Sequence, residues 1–189
     1  MEETKIDQLL LIGGSAGSLV VLLEVLPLVK IKATMAIVVI VHRKNTPDSL
    51  LSELLASRSG LIVKEIEDKE PLRGGEVYVA PPDYHILFET DRTISLDFSE
   101  KVNFSRPSID VAFGSAASVY KDRLSCLLLS GANADGVRGL EEVKAMNGRI
   151  FVQDPDTAET SYMPQQALQR IPDISVLKPS EMAASINAL

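Results

Sequence analysis

Apolar positions along the chain follow two different periods. Runs at 8–12, 36–41 and 124–129 are nearly continuous in apolar residues, which predicts strands buried on both faces, the mark of a parallel sheet. Shorter strands are predicted at 62–65, 76–80, 149–153 and 174–177. Between them, apolar residues recur with helical spacing at 18–29, 48–57, 107–120, 137–146, 165–171 and from Ser180 onward. Asp48, after Pro47, reads as a helix cap, and Asn147-Gly148 as a helix stop. After the turn Pro81-Pro82-Asp83, positions 85–89 and 93–97 alternate at period two about Thr90-Asp91-Arg92. That pattern predicts an antiparallel hairpin.

Strands alternating with helices predict an α/β fold: a three-layer sandwich with a mostly parallel, doubly wound sheet, right-handed crossovers and the antiparallel hairpin. No repeat, linker or low-complexity segment divides the chain, so residues 1–189 read as a single domain, long enough to bury a substantial core. A hydrophobic content of 46% is that of a globular protein. The net charge of -7, with no basic segment, argues against a nucleic-acid partner. The start Met1-Glu2-Glu3 is acidic and the apolar run behind it breaks at Gly13, so neither a signal peptide nor membrane insertion is expected and the setting reads as cytoplasmic. The lone Cys126, inside an apolar strand, reads as a buried thiol in a reducing compartment. With two histidines and one cysteine, no metal cluster and no cofactor are expected.

Parallel strands share one carboxyl edge, where ligands bind. Ser15 follows the first strand through Gly13-Gly14, His42 follows the second, and Asp135 lies in the loop Gly131-Ala132-Asn133-Ala134-Asp135-Gly136 after the strand at 124–129. Taken singly, Ser15 reads as a helix cap, His42 as a sheet-edge residue and Asp135 as a turn residue. At matching strand ends they suit one chemistry. A serine hydroxyl needs an imidazole to take its proton, and the imidazole needs a carboxylate to hold it. Ser15 is the expected nucleophile, His42 the base and Asp135 the orienting acid. Gly13-Gly14-Ser15-Ala16-Gly17 matches G-x-S-x-G, a tight turn that displays the hydroxyl, and the backbone N–H groups of Ala16 and Gly17 at a helix start are candidate oxyanion donors. The chain order Ser, His, Asp departs from the Ser, acid, His order of α/β-hydrolases and disfavours that fold.

These residues resemble the catalytic domain of the chemotaxis protein-glutamate methylesterase family, CheB. The resemblance runs from Ile12-Gly13-Gly14-Ser15 through Val41-His42, Val79-Ala80-Pro81-Pro82-Asp83-Tyr84-His85, Arg106-Pro107-Ser108-Ile109-Asp110 and Leu129-Ser130-Gly131, to Gln153-Asp154 and Met163-Pro164. It implies a serine hydrolase that removes methyl esters from glutamyl side chains of a chemoreceptor cytoplasmic domain, releases methanol, and can deamidate receptor glutamines. It implies the same roles for Ser15, His42 and Asp135. The family usually has Ser-Thr-Gly-Gly where this chain has Ser15-Ala16-Gly17-Ser18, and Gly-Met-Gly where it has Gly131-Ala132-Asn133. A backbone oxyanion hole, to which Ala132 would also contribute, survives both changes. The family also carries a receiver domain, so a separate regulatory or receiver protein is an expected partner.

Three further residues are candidates for the substrate cleft. His85 could line it or stand as an exposed strand residue; Arg106 could meet a substrate carboxylate or pair with Asp110; Met163 could plug a loop beside the cleft or simply pack. Two other functions remain open. Gly13, Gly14 and Gly17 could cradle a nucleotide phosphate, although the spacing is not G-x-G-x-x-G and the loop lacks lysine. A noncatalytic docking module is the other, against which the presence of Ser15, His42 and Asp135 together speaks.

Overall fold

The computed structural model describes residues 6–43 and 50–189. In chain order the elements are β1 (Gln8–Gly14), α1 (Ser18–Val25), β2 (Met35–Val41), α2 (Leu51–Ser59), β3 (Ile62–Glu65), β4 (Glu70–Pro71), β5 (Glu76–Val79), β6 (His85–Phe88) and β7 (Thr93–Asp97). They continue with α3 (Ile109–Tyr120), β8 (Leu124–Leu128), α4 (Val137–Ala145), β9 (Arg149–Gln153), α5 (Tyr162–Arg170), β10 (Ser175–Leu177) and α6 (Pro179–Asn187).

The predicted α/β sandwich is what forms. Seven strands make a parallel sheet in the order β10-β9-β8-β1-β2-β5-β3. Successive residues of its central strands serve opposite faces. Leu9, Leu11, Val38, Ile40, Cys126 and Leu128 pack with α3, α4 and α5, whereas Leu10, Ile12, Ile37, Val39, Leu127 and Leu129 pack with α1, α2 and α6. Helices on both faces explain the unbroken apolar runs, and each fully buried leucine or isoleucine contributes about 2 kcal/mol.

The hairpin of β6 and β7 is joined by β4 into a separate three-stranded antiparallel sheet in the order β4-β7-β6. Its Ile86, Phe88 and Ile94 bury against the α3 side of the core. Two residues, one of them Pro71, carry no readable period, which is why β4 escaped the sequence reading. The predicted helix at 18–29 stops at Val25 and gives way to a 3₁₀ turn at Leu26–Leu28, because Pro27 supplies no N–H to continue the helix. By contrast, α5 starts earlier than expected, since Pro164 lies in a first turn where its missing N–H is harmless. Asp48, the expected cap of α2, lies outside the described residues.

Strand order fixes where a ligand can sit. From β1 the chain crosses to β2 on one side, while β8 occupies the other side and leads outward to β9 and β10. The β1/β8 boundary is therefore the switch point at which successive loops diverge and open a crevice.

Candidate active site

Strand register brings the carboxyl-end turns together. Gly14 pairs with Val41, and Gly13 with Leu128, so Ser15 emerges between His42 on one side and Ser130 on the other. The Ser15 N–H donates to the Ser130 carbonyl (2.9 Å), and the His42 N–H donates to the Gly14 carbonyl (3.1 Å). The Ser15 carbonyl accepts from the Ser18 N–H (3.1 Å) and hydroxyl (2.6 Å), which closes the turn into α1.

The glycines act differently from the tight turn expected of them. Gly13 and Gly14 are extended strand; a Cβ on Gly13 would stand 2.5 Å from Cγ2 of Ile109, so its bareness lets the start of α3 approach the sheet. Only Gly17 is left-handed, at φ +82°, and it begins α1. Among the described residues, the N–H groups of Ala16, Gly17 and Ala132 meet no hydrogen-bond acceptor, so all three remain able to donate.

Asp135 is fully buried and accepts five hydrogen bonds. His42 Nε2–H reaches its Oδ2 at 2.7 Å, joined there by the Ile109 N–H at 2.6 Å. Asn103 Nδ2 and Ser108 Oγ, both at 2.8 Å, and the Asp110 N–H at 3.1 Å reach Oδ1. The carboxylate thus sits on the amino end of α3, where N–H groups and the helix dipole favour negative charge. Burial pushes the Asp135 carboxyl up, but the bonds from His42, Asn103, Ile109 and Asp110 outweigh it and hold the group below its ordinary value.

Because the Asp135 carboxylate only accepts, Nε2 of His42 carries a proton and the neutral ring keeps its lone pair on Nδ1. Ser105 Oγ lies 3.3 Å from that Nδ1. No hydrogen bond joins Ser15 Oγ to the imidazole among the described residues; the two line one cavity of about 830 Å³, walled by Leu19, Val41, Leu51 and Leu54.

Residues 10–186 match the family model for CheB methylesterase. The chain belongs to the CheB methylesterase family. It is 42% identical over 160 residues to a Leptospira interrogans relative, covering 85% of this chain and 83% of that protein. A Methanosarcina mazei relative named protein-glutamate methylesterase/protein-glutamine glutaminase 2 is 31% identical over 192 residues; the match takes in 98% of this chain but 52% of the relative, so the chain spans about half of it. The crystal structure of the Thermotoga maritima CheB methylesterase catalytic domain superposes with a TM-score of 0.91 at 29% identity, covering 96% of this chain and 97% of that one.

The three cleft candidates of this CheB-family chain fare differently. His85 is 1% exposed and away from the cavity: Nδ1 accepts from the Ser108 N–H (3.0 Å) and Nε2 donates to the Glu100 carbonyl (2.9 Å). It is neither a cleft residue nor an exposed one, because its period-two position faces α3 rather than solvent. Arg106 makes no pair with Asp110, since it donates to the Phe98 (3.3 Å) and Ser99 (2.6 Å) carbonyls; it does line a second cavity beside His42. Met163 is fully buried, and a Cβ on Gly131 would lie 2.4 Å from its Cε, so it packs beneath the Gly131 loop.

Sequence reasoning missed the groups that hold Asp135, namely Asn103, Ser108 and the amino end of α3. The one available signal was Pro107-Ser108 ahead of an apolar helix, a start motif that gathers free N–H donors.

Proposed function

We propose that this chain is a serine hydrolase that removes methyl esters from glutamyl side chains of a chemoreceptor cytoplasmic domain, with Ser15 as nucleophile, His42 as base and Asp135 as the acid that holds it. The observation that carries this reading is the His42–Asp135 bond of 2.7 Å, held at the sheet edge one residue beyond the β1/β2 pair that delivers Ser15. The names of the relatives support the substrate class.

In the reaction, Ser15 Oγ adds to the ester carbonyl while its proton passes to Nδ1 of His42. Hydrogen bonds of this kind commonly tighten only when substrate is bound. The imidazolium keeps Nε2–H on Asp135, which stays ionised. The oxyanion takes N–H groups from Ala16, Gly17 or Ala132, each donor worth about 3 kcal/mol of barrier. As the intermediate collapses, the proton on Nδ1 leaves with methanol and the glutamyl group stays on Ser15. Water, deprotonated by the same nitrogen, then releases the free glutamate. With ammonia as the leaving group the same steps deamidate glutamine, the second activity in the relatives' names. The leucine-walled cavity beside Ser15 suits the aliphatic stem and methyl group. A catalytic unit over residues 1–189, acting in the cytoplasm with a regulatory or receiver protein as a further partner, completes the reading.

Methanol release from a methylated receptor cytoplasmic domain tests it. Ser15→Ala is expected to lower release about 10³-fold or more while the melting temperature holds. Release unchanged in Ser15→Ala, or absent from the folded parent across several receptors, overturns it in favour of a docking module.

A further inference from the structure

Beside His42, where Ser105 Oγ approaches Nδ1, the chain makes a tight turn. Val102 and Ser105 exchange both backbone hydrogen bonds (3.1 and 2.9 Å), and the two residues between them have positive φ, Asn103 at 51° and Phe104 at 61°. That is the conformation of a type I′ turn, which favours asparagine or glycine. Asn103 suits it and uses its amide on Asp110 and Asp135. Phe104 does not suit it. A large aromatic side chain is held in a left-handed conformation and is 98% exposed, so it adds strain and contributes nothing to the core. Strain of this kind persists where function requires it.

The surroundings state what chemistry would meet it. The lining of a cavity of about 470 Å³ includes His42, Ser105, Phe104, Lys101, Arg106 and Asp83. Arg106 lies 3.9 Å over the Phe98 ring and bonds only to neutral carbonyls, so no carboxylate offsets its charge among the described residues. Lys101 is exposed and likewise has no ion pair there, and among the described residues Asp83 is the one acid of the lining. In a chain of net charge -7, this excess of positive charge beside His42 marks a place for an anion.

We propose that the turn from Lys101 to Arg106 selects the substrate: Lys101 and Arg106 take a carboxylate flanking the ester, and Phe104 packs on an apolar side chain next to it. The occupant is an acidic, partly apolar segment of the methylated protein. This rests on the esterase reading of Ser15, and binding is therefore measured apart from turnover.

Two helical peptides carrying one γ-methyl glutamate, identical except for flanking glutamates in one and glutamines in the other, supply the probe. Their affinities are read by fluorescence anisotropy with Ser15→Ala protein, and their methanol release with the parent. The acidic peptide is expected to bind about fivefold more tightly at low salt, the range for a charge contact at an interface rim. Adding Lys101→Gln should reduce that preference, and raising the salt should erase it. Adding Phe104→Gly should weaken both peptides while the melting temperature stays level or rises, since glycine relieves the φ of +61°. Equal affinity for the two peptides, or a preference untouched by Lys101→Gln, overturns the proposal. Phe104→Gly that leaves binding unchanged removes Phe104 from it. Preferential binding without methanol release sinks the esterase reading and leaves the surface; release without preference does the reverse.

Discussion

Asp110 and Asp135 each bind the start of a helix that the other adjoins. Asp135, just ahead of α4, accepts the Ile109 and Asp110 N–H groups at the start of α3, while Asp110 accepts the Gly136 (2.9 Å) and Gly139 (2.7 Å) N–H groups at the start of α4. The amide of Asn103 donates 2.8 Å bonds to both carboxylates and so separates two like charges. Through this exchange the orientation of His42 depends on the packing of α3 against α4.

Asp135→Asn should therefore fail in two ways. An amide directed at the Ile109 N–H or His42 Nε2–H sets donor against donor, which leaves a buried polar group unpaired at about 2–3 kcal/mol. Loss of the carboxylate also removes what holds the imidazole, an effect of about 10⁴-fold in serine hydrolases built this way. Urea unfolding should show the first, and methanol release at matched folded fraction the second. Full activity in the folded variant would remove Asp135 from the mechanism.

The two acids predict opposite limbs in a plot of stability against pH. Burial pushes Asp110 up, only partly countered by the Gly139 N–H, and the Asp135 charge pushes it further. Its native value is above the unfolded one, so its contribution is full below the unfolded value, about 3.9, and declines as pH rises through the native value. Asp135 is held low, so its contribution is present above about 3.9 and is lost as pH falls through its native value. Melting temperatures should rise on mild acidification and then fall steeply. In Asp110→Asn the rise should shrink while the fall remains; an unchanged rise would assign it to other groups.

Gly17 and Gly60 separate conformational strain from close approach. Both have positive φ, +82° and +71°, but among the described residues a Cβ on Gly60 meets nothing within 4 Å, whereas one on Gly17 lies 2.6 Å from Cβ of Glu159 and 2.8 Å from Oγ of Ser130. Gly60→Ala should cost about 1 kcal/mol and spare activity. Gly17→Ala should cost about 1–3 kcal/mol more from overpacking and should lower kcat, because Ser130 Oγ ties the Ala16 carbonyl (2.6 Å) to the Thr160 N–H (2.9 Å) beside Ser15. Denaturant midpoints and turnover of the pair give the comparison.

Cys126 is fully buried in β8, and burial alone pushes its thiol well above the ordinary value. A thiol that neither ionises nor meets solvent does not react. Native protein should take up no thiol reagent, with one equivalent bound on unfolding; rapid native labelling would mean that β8 opens.

The alternation of apolar runs and helical spacing settled the layered fold, because a strand buried on both faces and a helix buried on one leave different periods in the chain. Strand ends fall at fixed places in those runs, so Ser15, His42 and Asp135 could be placed on one edge without knowing their neighbours. What the tertiary structure alone decided is where polar groups find partners. His85 reads as a cleft or exposed strand residue yet is buried, because the start of α3 brings the Ser108 N–H to its Nδ1. Arg106 and Asp110, four residues apart, read as a pair, but backbone carbonyls claim the one and helix N–H groups the other. Which imidazole nitrogen faces the carboxylate depends on the same arrivals. Burial of an apolar residue follows from its own polarity and its local period, whereas a polar residue is buried only where a hydrogen-bond partner arrives, and the fold delivers that partner from far along the chain.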